Sequence, residues 1–162
     1  MLDIPSILAI VAAAGVLVGV ALTVLELRDF VKTRRTDMLW RLLSSFNSKE
    51  YLEAYLKTVN LEFKDYNDFS KKYGSGFSET PVQVALSMVC NLFEGAGTLL
   101  YRRLIDFETV SLLIPVSYTW EKVKPIAYGM RKELNLPGLW TGFEYLYNET
   151  QKREQQLASK TA

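Results

Sequence analysis

The stretch IPSILAIVAAAGVLVGVALTVL, residues 4–25, runs for 22 residues without a charge. As a helix rising about 1.5 Å per residue it reaches about 33 Å, enough to cross a hydrocarbon core of roughly 30 Å. It is read as an N-terminal transmembrane helix, with the remainder of the chain tethered to a membrane. A secretory signal peptide opens on basic side chains and carries a shorter apolar core. Here the front end is Met1-Leu2-Asp3, so the expectation is a retained anchor. Pro5 falls in the first turn, where a missing N–H costs little.

Working outward, Arg28, Lys32, Arg34, Arg35 and Arg41 come after the run, against Glu26, Asp29 and Asp37. Basic residues beside a membrane helix stay on the cytoplasmic side. The expected topology is single-pass, with the N-terminus outside and the remaining domain in the cytoplasm. Arg28, Lys32, Arg34 and Arg35 are also candidates for contact with anionic lipid headgroups. Within the run, Gly15 and Gly19 make a GxxxG pattern that Thr23 extends by a turn. Small residues four apart let helix backbones approach closely, so this face is a candidate contact for a second copy or another membrane helix.

Composition narrows the function. From residue 42 onward there are fourteen basic and fourteen acidic residues. A neutral domain is a poor nucleic-acid binder, because such binding rests on phosphate neutralisation. The single cysteine, Cys90, precludes an internal disulfide. The chain has no histidine, which removes the commonest general base and metal ligand. No cofactor, metal or small-molecule substrate is indicated, and an enzyme is not expected.

The rest reads as helices. Nothing from residue 26 to 45 breaks a helix, so the span is expected to continue as a stalk, with Trp40 and Leu43 meeting the core. Asn47-Ser48-Lys49-Glu50 reads as a capping box flanked by Phe46 and Tyr51. Asp65 is placed to cap a short helix ending at Gly74. Thr80-Pro81-Val82-Gln83 starts a strongly apolar helix over 81–104, which reads as the centre of a bundle. Glu94 and Asn91 argue against a second membrane span there. Gly95-Ala96-Gly97 suggests close backbone packing. Val110, Leu112, Leu113, Val116 and Trp120 mark a further helix that Pro115 should kink or split, and Pro125 marks another kink or start. A last helix carries Leu139, Trp140, Phe143, Leu146 and Tyr147, and from Asn148 a loose polar tail is expected. The expected fold is all-α. Residues 1–27 form the anchor, 28–45 a stalk, 46–148 a bundle of about five or six helices, and 149–162 the tail.

The run Asn91-Leu92-Phe93-Glu94, then Gly97, Leu99, Leu100, Arg102 or Arg103 and Leu104-Ile105-Asp106, is followed by Trp120-Glu121, Pro125, Arg131 and Phe143-Glu144-Tyr145-Leu146. This resembles a family of small bacterial and archaeal proteins with one N-terminal membrane helix and a helical domain of unknown function. The resemblance implies an all-α fold and a membrane anchor, and it offers no catalytic residues.

One polar constellation stands out: Glu94, Arg131 and Glu144. Read structurally, it is an internal ion-pair network joining three helices. Read chemically, it is an acid/base pair of carboxylates held by an arginine. The structural reading is preferred, because ion pairs perturb such groups as readily as catalysis does. Trp120, Trp140 and Trp40 are expected in the core, and Cys90 as a small buried hydrophobe. The functional expectation is a membrane-anchored module that binds a protein partner or self-associates. The alternative is a membrane-tethered enzyme or sensor using the Glu/Arg cluster.

Overall fold

The computed structural model describes residues 3–111 and 115–161. It is all-helical, with no strand among the described residues. The helices are α1 (Ile4–Phe46), α2 (Lys49–Val59), α3 (Tyr66–Tyr73), α4 (Pro81–Tyr101), α5 (Phe107–Ser111), α6 (Val116–Glu133) and α7 (Thr141–Thr161). The chain divides into two compact units, Met1–Leu39 and Trp40–Ala162.

The first unit is the helical stretch of α1 up to Leu39. From Ile4 to Val31 its described apolar side chains are exposed on all sides, including Leu8, Val16, Leu17, Val18, Val20, Leu22 and Leu25. A Cβ added at Gly15 or Gly19 would meet nothing within 4 Å. The Thr23 hydroxyl donates back to the Gly19 carbonyl at 2.9 Å. The side chains of Ser6, Ile7, Ala9, Ile10 and Val11 lie outside the described residues.

In the second unit α4 is central, packing along both α7 and α2, while α6 packs on α7, α3 and α2. Leu86, Val89, Cys90, Phe93 and Ala96 of α4 are fully buried, together with Trp120, Val123, Ile126 and Met130 of α6 and Phe143 and Leu146 of α7. The Phe93 and Phe143 rings stack with centroids 4.3 Å apart, and the Trp120 ring meets Phe143 edge-on at 4.9 Å. Among the described residues α4 is the one helix long and apolar enough to cross a membrane by composition. Its buried side chains and its neighbours α2 and α7 account for that composition as core.

Several local expectations hold. Asp65 accepts the Asp68 N–H at 2.9 Å, and Thr80 accepts the Gln83 N–H at 3.3 Å with Pro81 opening α4. Gly74 ends α3 at φ +96°. Pro115 separates α5 from α6.

Others need correction. The cap of α2 is Ser48, one residue later than the capping box reads, and its hydroxyl accepts the Tyr51 N–H at 3.1 Å. Helix α1 meets the core through Leu42 and Phe46, whereas Trp40 is 69 % exposed. The second unit accordingly starts at Trp40 and not at 46. Pro125 lies inside α6, so it does not start a fresh helix. The polar segment from Asn148 stays helical, because α7 runs on to Thr161. Its Lys152–Glu149 pair at 2.7 Å and its Gln151–Glu154 contact at 3.0 Å tie side chains three apart on that helix. Leu112 and Leu113 lie outside the described residues.

Candidate functional site

The polar residues singled out from the sequence fall into two arrangements in the second unit, and Glu94 does not join the other two. The first arrangement is the joint between α4 and the start of α7. A helix begins with N–H groups that have no intrahelical partner. Trp140 precedes α7 and has no oxygen acceptor on its side chain. Glu94, from the middle of α4, supplies one: its Oε2 accepts the Phe143 N–H at 2.8 Å. A carboxylate there also opposes the positive end of the helix dipole. One turn earlier, Asn91 accepts the Trp140 indole N–H through Oδ1 at 3.0 Å. Trp140 is buried and sits at φ +53°, a left-handed conformation uncommon for a bulky residue. One turn later, Gly97 faces Gly142, and a Cβ on Gly97 would lie 1.8 Å from the Gly142 carbonyl oxygen. Asn91, Glu94 and Gly97 therefore form one i, i+3, i+6 row that receives Trp140, Gly142 and Phe143.

The second arrangement ties α6 to α7. Arg131 Nη1 meets Glu144 Oε2 at 2.6 Å, and its Nε donates to the Leu139 carbonyl at 2.7 Å. The Tyr128 hydroxyl donates to Glu144 Oε1 at 2.6 Å, and the guanidinium lies 5.2 Å from the Tyr128 ring centroid. Partial burial opposes ionisation of Glu144, but the hydrogen bonds from Tyr128 and Arg131 outweigh it and hold the carboxyl below its usual range. A turn further along, Tyr147 donates to Glu121, which also pairs with Lys124 at 3.7 Å. The expected three-helix network is thus an α6–α7 pair, with Glu94 serving separately as a cap.

Cys90 is fully buried as a packed side chain, and that burial pushes its thiol well up, with the Glu94 charge adding to it. Burial likewise raises the Tyr51 phenol, with Tyr55 and Cys90 contributing. Between α4 and α7 lies a cleft of about 230 Å³ lined by Glu94, Thr98, Tyr101, Thr141, Gly142 and Tyr145. Neither Arg131 nor Glu144 lines it. A wider depression of about 650 Å³ has a neutral lining of Ser44, Ser45, Ser48, Tyr51, Met88, Asn91 and Leu92. Among the described residues no group of three or more cysteines and carboxylates could hold a metal.

In the first unit, Arg28, Lys32 and Arg34 are exposed, and the Arg34 guanidinium lies 4.8 Å from the Phe30 ring centroid. The side chain of Arg35 lies outside the described residues. The sequence reading missed Gly142, Tyr128 and the pairing of Asn91 with Trp140. Only Gly97 carried a signal, as a glycine inside a strongly apolar helix.

No curated protein and no solved structure matches the chain. A protein-family profile does match, over residues 9–150, and it takes in much of the apolar run as well as α2 to α6 and the start of α7. By that match the chain belongs to the family described as a domain of unknown function, DUF4760.

Proposed function

We propose that this protein is a single-pass membrane-anchored module whose helical domain stands in the cytoplasm and docks a protein partner or a second copy of itself. The observation that carries the reading is the uncharged run over residues 4–25, whose described apolar side chains are exposed around the whole helix. Water is a poor solvent for such a surface and a lipid core a good one. The basic residues after the run favour the cytoplasmic side for the helical domain. The family match begins at residue 9, so most of the run is matched together with the domain.

Binding is favoured over catalysis by the partners of the carboxylates. Glu94 caps α7, while Glu144 is held by Arg131 and Tyr128. The two carboxylates share no hydrogen-bond partner, and of the two Glu94 alone lines the cleft between α4 and α7, which is not the arrangement of an acid/base pair. Alkaline extraction of membranes carrying the full chain tests the anchor, with the protein expected in the pellet. A C-terminal tag should resist protease in sealed right-side-out vesicles. Digestion from the outer face refutes the topology, and recovery in the cytosol refutes the anchor. Crosslinking in native membranes tests docking; a lone monomer under all conditions counts against it.

A further inference from the structure

We infer that Arg28 and Lys32, with Leu27 and Val31, form a binding site for an anionic phospholipid at the end of the apolar run. This rests on the membrane reading above and adds the identity of a ligand. Residues four apart on a helix lie side by side, about 5–6 Å between Cβ atoms. Arg28 and Lys32 make one such row of cations, and Leu27 and Val31 make an adjacent row of apolar side chains. All four line one shallow depression of about 370 Å³.

The cations are available. Asp29 is three residues from Lys32 and one from Arg28, yet neither cation is within ion-pair distance of a carboxylate among the described residues. Leu27 and Val31 are both exposed, as is Phe30 beside them. A phosphodiester bridging the two cations would leave its acyl chains against Leu27 and Val31, continuous with the apolar run that ends at Leu25. A zwitterionic lipid carries its own ammonium, which offsets the phosphate, so an anionic headgroup is preferred. A soluble phosphate would leave the apolar row bare.

The test uses the full chain in nanodiscs of equal phosphatidylglycerol and phosphatidylcholine, with retained lipids counted by native mass spectrometry. Phosphatidylglycerol should be enriched among them by at least about fivefold, the ratio that one near-surface charge supplies. The double variant Arg28→Gln/Lys32→Gln should bring the two lipids to parity, while Lys57→Gln, an exposed lysine of α2, should leave the enrichment unchanged. Leu27→Ser/Val31→Ser should lose retained lipid of both kinds, which a site for the phosphate alone would not. Equal retention of both lipids by the wild-type chain overturns the inference, as does enrichment that survives in the charge variant. A chain that never enters the disc instead fails the membrane reading, and alkaline extraction identifies that case.

Discussion

Two glycines two positions apart in α4 carry opposite expectations. At Gly97 an added methyl would lie 1.8 Å from the Gly142 carbonyl oxygen, a backbone atom with no rotamer to change. Gly97→Ala must therefore push α4 and α7 apart, at about 3 kcal/mol or more, the upper end of overpacking costs. At Gly95 an added methyl meets nothing within 4 Å, and the position is exposed. Gly95→Ala should stabilise by about 0.5–1 kcal/mol through helix propensity alone. Urea melts of the two variants give the comparison, and equal effects would contradict the close crossing. Glu94 makes a second case at this scale. Glu94→Gln keeps an oxygen for the Phe143 N–H and should cost little beyond the lost charge, whereas Glu94→Ala should cost about 1–2 kcal/mol, as loss of a helix cap does. A Gln variant as damaged as the Ala variant would show that charge, and not the hydrogen bond, holds the start of α7.

Helix boundaries show what could be read in advance and what could not. Ser48 and Asn47 are both good cap residues, and the downstream Glu50 pointed to Asn47. The backbone instead places Ser48 at the cap, where its hydroxyl takes the Tyr51 N–H. Ser48→Ala should accordingly cost about 1 kcal/mol and Asn47→Ala a few tenths, by the same denaturation measurement. Thr80-Pro81 and Asp65 were legible because each combines a local acceptor with a single plausible start. The start of α7 was not, because its cap comes from Glu94, 49 residues earlier in the chain. The tail after Asn148 looked loose for want of apolar residues, yet α7 extends over it. The α6–α7 contact adds a pH dependence. The Glu144 carboxyl is held below its ordinary range, so its contribution to stability is present above the unfolded-state value near 4.5 and is lost as pH falls through the lower folded value. In melts carried from neutral pH down through that window, Glu144→Gln should be less stable than wild type at pH 7, with the gap closing toward acid. A constant gap would mean that the carboxylate contributes nothing through its charge.

At the scale of the molecule, the sequence pattern separated an uncharged rod from a neutral helical domain but misplaced the boundary. Leu42 and Phe46 are the reason. Both are buried, Phe46 meets Tyr51 edge-on with centroids 5.1 Å apart, and its ring is 5.8 Å from that of Phe93. The end of α1 therefore belongs to the core, and the domain needs it. A chain of residues 40–162 retains every fully buried apolar side chain from Leu86 to Leu146, together with Leu42 and Phe46. It should be recovered from the soluble fraction and unfold in urea in one cooperative transition, with circular dichroism and tryptophan emission coincident. A chain of residues 47–162 lacks both contacts. Removing a buried phenylalanine costs about 3–5 kcal/mol and a buried leucine about 2–5 kcal/mol, against a total of about 5–15 kcal/mol for a domain. That shorter chain should therefore be largely unfolded or non-cooperative at neutral pH. If the two chains melt alike, the terminal turns of α1 are a stalk after all, and the core begins at α2.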